Sequence, residues 1–98
     1  MPRIRVSIAI SALRDLDEVL AYYLEQGVPQ TGERLVGEVI VQIESLADHP
    51  DRGRMVPEFS MAALRELIHP PFRIVYRREP EKVRVVRIWR SEHLLKLP

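Results

Sequence analysis

The feature that most constrains the fold is the stretch from Leu64 to Trp89, where apolar and charged side chains alternate along three successive runs. A period of two is typical of half-buried β-strands. We expect Glu79–Lys82 to form the turn that joins a strand at Phe72–Arg78 to a strand at Val83–Trp89. The segment therefore predicts three antiparallel strands that carry many arginine side chains.

The charges of this chain are unevenly distributed. Residues 65–98 contain nine Lys or Arg and four Asp or Glu, a net charge of +5, so the first 64 residues carry −4 within an overall charge of +1. Such asymmetry indicates a basic sheet that binds an anionic ligand. Direct binding to DNA is disfavoured, because proteins that follow a phosphate backbone usually have a larger positive excess.

The N-terminal half predicts one strand and two helices. Arg3–Ile8 alternates polar and apolar residues, which indicates a strand. Ser11 is placed to cap a helix whose apolar residues recur every three or four positions until Gly27 and Pro29 end it. A second helix is expected to begin near Thr31 and to end before Asp48-His49-Pro50, with residues 51–63 irregular.

These elements predict a single α+β domain that spans residues 1–98. The short loop between the helices indicates an antiparallel helix hairpin, which packs its apolar stripe on a small, largely antiparallel sheet. A chain of 98 residues can bury one core without disulfides or metals.

Composition excludes several kinds of site. The chain has no cysteine, so disulfides and thiolate metal ligands are impossible, and a reducing cytoplasm is the expected location. Its three histidines lack metal-ligand spacing, and we predict neither metal nor cofactor. Residues 4–13 are too short and too polar to cross a membrane, so no membrane partner is expected.

A uniform hairpin register assigns side chains to the two faces of the sheet. With Arg78 opposite Val83, one face holds Tyr76 opposite Val85 and Phe72 opposite Trp89, and this aromatic face should meet the helices. Arg87 falls on the same face, opposite Ile74, and must reach the sheet edge or a helix acid to avoid an unpaired buried charge.

The opposite face is then both basic and partly apolar. Arg77 lies opposite Arg84, and this like-charge pair costs a few tenths of a kcal/mol or more unless an anion sits between them. The full set on this face is Arg73, Arg77, Arg84 and Arg90 around Val75, Val86 and Ile88. The alternative interpretation is a solvated surface whose charges discourage strand pairing.

The order of strand, helix hairpin and three antiparallel strands resembles the RelE/ParE superfamily of bacterial type II toxins. The most specific part is Arg65-Glu66-Leu67 followed, after a gap, by Phe72-Arg73-Ile74-Val75-Tyr76-Arg77. The resemblance implies a small toxin that is neutralised by a cognate antitoxin. The C-terminal segment of such an antitoxin is disordered when free and wraps the toxin, and the antitoxin binds operator DNA.

These phrases fit the ParE-like branch better, which implies a toxin that poisons DNA gyrase and need not be an enzyme. The residues expected to bind antitoxin or target are Arg65, Arg73, Arg77, Arg84, Arg90 and His93.

Two alternatives remain open. In the RelE-like branch the toxin cleaves messenger RNA on the ribosome without a metal, and Arg73, Arg90 and His93 would then be the catalytic candidates. Against this reading, the segment before Leu64 offers arginines but no lysine, and the terminal tyrosine is missing. The second alternative is a degenerate toxin that acts only in antitoxin-bound repression of its operon, because the ending Trp89–His93 departs from the pattern of both branches.

Overall fold

The computed structural model describes residues 3–91 and confirms the predicted α+β fold. A helix hairpin packs on one face of a five-stranded sheet. In chain order the elements are β1 (Arg5–Ile8), α1 (Ile10–Glu25), α2 (Pro29–Ser45), β2 (Arg54–Met55), β3 (Leu64–His69), β4 (Phe72–Arg78) and β5 (Lys82–Arg90).

The strand order in the sheet is β1-β5-β4-β3-β2. β3, β4 and β5 pair in an antiparallel sense, as predicted, whereas β1 lies parallel to β5. The short strand β2 pairs antiparallel with β3 and lies in the segment that was predicted to be irregular. The first strand is therefore an edge strand beside the last one, with Arg5 next to Lys82 and Ile8 next to Val85. Residues far apart in sequence thus share one side of the sheet.

The core lies between the hairpin and the inner face of the sheet, which is the face towards the helices. Each fully buried aliphatic or aromatic side chain stabilises the fold by about 1.5 to 3 kcal/mol relative to an exposed one. The helices contribute Ala12, Leu16, Leu35, Val39 and Ile43, the residue after α2 contributes Leu46, and the sheet contributes Leu67, Phe72, Ile74, Tyr76, Val83, Val85 and Ile88.

The ends of the helices differ from the prediction at two residues. Ser11 lies inside α1 and does not cap it, because its hydroxyl donates to the carbonyl of Val86 at 2.7 Å. Pro29 does not end α1 but begins α2, where the missing amide of proline is tolerated. Gly27, with φ of 78°, follows α1 as expected of a residue that ends a helix.

A β-bulge at Val86 shifts the hairpin register by one residue. Arg78, Arg77 and Tyr76 pair with Val83, Arg84 and Val85 as predicted, but Val75 then pairs with Arg87 and Ile74 with Ile88. Relative to the predicted register, every side chain of β5 after the bulge therefore lies on the opposite face of the sheet. The pairings of Arg73 with Trp89 and of Phe72 with Arg90 complete the register.

Three predictions are corrected by this bulge. Trp89 is not in the core but lies half-buried on the outer face, where its ring stacks on Phe59 with centroids 6.5 Å apart. Ile88, predicted on the basic face, is instead a core residue. Arg90 lies on the helix side of the sheet and does not join Arg77 and Arg84.

Candidate functional site

Four exposed basic residues form a cluster on the outer face of the sheet. Arg77 lies directly opposite Arg84, as predicted, and both are exposed. Lys82 shares this face with Arg84, and Arg5 of β1 lies beside Lys82. We call Arg5, Arg77, Lys82 and Arg84 the basic face cluster. The sequence did not reveal the contribution of Arg5, because the position of β1 in the sheet was not predicted.

Few acidic side chains in the described part of the protein lie close enough to neutralise the charges of the basic face cluster. Among residues 3–91, Arg5, Arg77 and Arg84 have no ion-pair partner, and Lys82 lies 3.9 Å from Glu79. Like charges on adjacent strands repel each other and destabilise the sheet by a few tenths of a kcal/mol per pair. A bound anion would remove this cost, so the cluster favours an acidic ligand.

Arg73 lies on the same face, as predicted, but its side chain is buried instead of exposed. Its side chain donates to Glu66 at 2.7 Å and makes two bonds to Glu58 at 2.7 and 2.8 Å. Arg54 donates to the other oxygen of Glu66 at 2.7 Å. Hydrogen bonds first to Glu58 and then to Glu66 raise the pKa of Arg73 above its usual range. Two arginines and two glutamates therefore form a neutral group, which we call the Arg73 network.

The segment 50–59 contacts both faces of the sheet: residues 50–53 lie against Tyr76 of the inner face, and residues 58 and 59 lie over the outer face. The hydroxyl of Tyr76 donates to the carbonyl of Pro50 at 2.8 Å and accepts from the amide of Gly53 at 3.0 Å. A Cβ atom at Gly53 would lie 2.6 Å from that hydroxyl, so the close approach requires glycine. Burial raises the pKa of Tyr76. Glu58 and Phe59 lie over Arg73 and Trp89 on the outer face, whereas Arg77 and Arg84 of the basic face cluster are exposed.

Arg87 has the acidic partner on a helix that was predicted from the sequence. It reaches Asp15 on α1, with hydrogen bonds of 2.8 and 3.1 Å, and Asp15 also accepts the amide of Ile88 at 2.8 Å. The bond to Asp15 raises the pKa of Arg87. The predicted pairing of Arg87 with Ile74 is wrong, because the bulge places Val75 opposite Arg87. This contact attaches α1 to the bulge.

The other predicted binding residues lie away from the basic face cluster. Arg65 points to the helix side and donates to the carbonyl of Gly53 at 3.0 Å, so it braces the segment before β2. The guanidinium of Arg90 lies 5.5 Å from the ring centroid of Tyr22. His93 lies outside the described residues.

Residues 3–91 contain neither a metal site nor a membrane-spanning helix. No group of three side chains in this part of the chain is arranged to hold a metal ion. Likewise, neither α1 nor α2 is long and apolar enough to cross a membrane.

Comparison with known proteins decides the family. Residues 6–95 match the family described as the ParE toxin of the type II toxin-antitoxin system parDE. The chain belongs to this family. It is therefore a ParE-like toxin of a type II toxin-antitoxin system, as the resemblance implied. No curated protein gives a significant match to the sequence.

Two solved structures have the same fold as this ParE-family chain. One is described as a chromosomal ParDE toxin-antitoxin system from P. aeruginosa, with a TM-score of 0.78, 22% identity, and coverage of 92% of this chain and 98% of the other. The second is the toxin-antitoxin complex RelBE2 from Mycobacterium tuberculosis, with a TM-score of 0.67, 20% identity, and coverage of 90% and 98%. At these identities the likeness supports the fold, which is common to ParE and RelE proteins.

Proposed function

We propose that this ParE-family toxin is neutralised by a cognate antitoxin in the cytoplasm and, when free, poisons DNA gyrase by protein-protein contact. The observation that carries the proposal is the division of the outer face into an exposed basic face cluster and a neutral, covered Arg73 network. The first half suits the binding of an acidic protein surface. The second half argues against nuclease chemistry.

The Arg73 network occupies one of the three catalytic candidates of the RNA-cleaving alternative. A phosphorane intermediate requires donors aimed at its developing charge. The Nε and both terminal nitrogens of Arg73 already donate to glutamate oxygens, and only 7% of its side chain is exposed. Recruiting it to a phosphate would break charge-assisted bonds to two carboxylates. A mechanism based on binding another protein requires no such rearrangement.

The antitoxin is the expected occupant of the basic face cluster. Both solved neighbours come from toxin-antitoxin systems, and the cluster is compatible with an acidic segment that folds on binding. In this proposal the toxin contacts operator DNA only through the antitoxin. Co-expression with an antitoxin encoded beside the toxin, followed by gel filtration at micromolar concentration, should give a single complex. Separate elution of the two proteins would contradict the partnership.

The target is tested by two assays run in parallel on the purified toxin. In the first, gyrase supercoils relaxed plasmid in the presence of toxin, and we expect inhibition that added antitoxin reverses. In the second, a translating ribosome reaction is probed for cleaved messenger, and we expect intact messenger. Cleaved messenger with normal supercoiling would instead establish the RelE-like alternative. No effect in either assay would indicate a degenerate toxin whose remaining role is in the repressing complex.

A further inference from the structure

Helix α1 carries a row of exposed aliphatic side chains that do not belong to the core. Ile10, Leu13, Leu20 and Leu24 are between 36% and 66% exposed. Asp17 lies between Leu13 and Leu20, and with it the steps along the helix are three, four, three and four residues. Side chains at these spacings share one face of a helix. We call these five residues the α1 seam.

The spacing of the α1 seam suits a helix as its partner. Alternating steps of three and four residues form the heptad pattern through which two α-helices insert side chains between those of the other. The seam covers two heptads and is about 21 Å long at 1.5 Å per residue. An extended strand matches it poorly, because the side chains of a strand repeat every two residues. The geometry therefore favours a helix of about four turns.

The charged side chains around the α1 seam are mainly acidic. Asp17 lies within the seam, and Arg14, Glu18 and Glu25 are the other exposed charges of α1, so three acids and one base give a net charge of −2. Neither Asp17 nor Glu25 has an ion-pair partner among residues 3–91. A helix that docks here removes Asp17 from water, and burial of an unpaired carboxylate is costly. The partner must therefore present a cation to Asp17.

Two other occupants of the α1 seam are disfavoured by the same charges. The acidic antitoxin would bring carboxylates towards Asp17, whereas the basic face cluster attracts them. A second copy of this chain meets a similar obstacle. Ile10 and Leu24 each lie seven residues from Asp17. Two aligned seams would therefore place one copy of Asp17 against the other, and like charges in contact oppose association.

We infer that the α1 seam binds a basic amphipathic helix of the target protein. Aliphatic side chains of that helix pack against the leucines of the seam, and an arginine or lysine at its centre pairs with Asp17. The inference rests on the proposed function, which requires a toxin that binds two proteins. It assigns them to surfaces of opposite charge, the antitoxin to the basic face cluster and the target to the α1 seam.

The role of the α1 seam in the action of the toxin is tested with Asp17→Lys and Leu13→Asn in the gyrase supercoiling assay. We expect each variant to require at least tenfold more toxin for half-inhibition, while the antitoxin binds both as tightly as it binds wild type. The matched controls on α2 are Glu33→Lys and Val41→Asn, which change an exposed acid and an exposed aliphatic residue outside the seam. Both controls should inhibit like wild type. Circular dichroism shows whether each variant is folded.

The outcomes of this assay separate the inference from the proposed function. Equal inhibition by wild type and by folded Asp17→Lys and Leu13→Asn would overturn the inference and leave gyrase as the target. Weaker antitoxin binding by these folded variants would show that the antitoxin covers the α1 seam, which would also overturn it. If wild type does not inhibit gyrase, the proposed target is wrong, and binding of a peptide then decides the inference.

The chemistry of the occupant is tested with a synthetic helical peptide that has leucines at the spacing of the α1 seam, lysines on its flanks and one arginine at its centre. Its control has glutamate in place of the central arginine. We expect wild type to bind the arginine peptide at least tenfold more tightly than the control, a difference of about 1.4 kcal/mol. Asp17→Lys should reverse this preference, and fluorescence anisotropy measures both affinities. Equal binding of the two peptides by wild type, or no binding of either, would overturn the inference.

Discussion

The buried carboxylate of Glu66 binds two arginine side chains and limits the other contacts that they can make. Only 1% of the residue is exposed, and its two oxygens accept from Arg73 and Arg54. Removing one member of a buried ion pair is costly because the remaining charge stays buried without a partner. Glu66 thus occupies a donor of Arg73 that a phosphate would require.

We predict that Glu66→Gln lowers the free energy of unfolding by about 3 kcal/mol, since it leaves Arg73 buried beside a neutral amide. The matched variant is Glu58→Gln, which removes the other carboxylate from Arg73. The side chain of Glu58 is 23% exposed, so water replaces part of the interaction and we expect a loss of about 1 kcal/mol. Urea unfolding measures both values. A smaller loss for Glu66→Gln than for Glu58→Gln would contradict this account of the network.

The alternation of residues along β3 indicates one partner in this network, which the register of β4 and β5 does not reveal. A tight connection at Pro70-Pro71 places Ile68 opposite Arg73, so Glu66 must lie on the same face as Arg73. Alternation along β3 was therefore sufficient to suggest one partner of Arg73. Glu58 could not be found in this way, because the irregular segment that carries it has no period from which to infer a position.

At the scale of the elements, one contact attaches α2 to the end of β3. Glu38 of α2 lies 3.0 Å from the imidazole of His69 and 2.7 Å from Arg34 on the same helix. The hydrogen bond from His69, followed by that from Arg34, lowers the pKa of Glu38 below its ordinary value of 4.5. The folded state therefore holds this carboxylate in its ionised form.

The sign of the pH dependence follows from that direction. A carboxyl whose pKa is lower in the folded state stabilises the protein above its unfolded pKa and loses this contribution as the pH falls through the folded value. We predict that wild type is more stable than Glu38→Gln at pH 6, and that the difference decreases below pH 4.5 as the pH falls towards and through the lower pKa of the folded state. Thermal unfolding at both pH values measures it. Glu33→Gln, an exposed acid on the same helix, is the control, and an equal pH trend in both variants would contradict the assignment.

The elements were largely predictable and their mutual placement was not. Alternation and helical periodicity located β3, β4, β5 and both helices, because burial of one face imposes those periods. The bulge at Val86 leaves no local signature, since Val and Arg on either side of it both suit a strand. The consequence was large, because one extra residue moved Trp89, Ile88 and Arg90 to the opposite faces.

At the scale of the whole molecule, the sheet separates two kinds of surface. Its inner face is sealed by the helix hairpin, and half of its outer face is covered by the segment around Glu58 and Phe59. The basic face cluster remains accessible to a partner. Its four cations come from β1, β4 and β5, so only the assembled sheet brings them together.

We predict that Arg77→Glu or Arg84→Glu weakens binding of the antitoxin while the fold is retained. Loss of one charge-assisted contact costs about 1.5 to 3 kcal/mol, which corresponds to roughly 10- to 100-fold in Kd. Exposed charge changes alter folding stability by only about 0.5 kcal/mol. Calorimetric titration measures affinity, and Arg14→Glu is the matched control on α1. Unchanged affinity in folded Arg77→Glu and Arg84→Glu would remove the basic face cluster from the interface.

Because β1 pairs with β5, the sheet of the toxin can be completed only after β5 has been synthesised. The ribosome makes Arg5 before the residues of β5, yet these two strands lie side by side. Contacts between distant segments form only after the intervening chain has been closed into a loop. A nascent chain that has not yet released Lys82 and Arg84 therefore holds neither the completed sheet nor the basic face cluster. The surface is assembled only after β5 has left the ribosome, so an antitoxin that is already present can bind it as it forms.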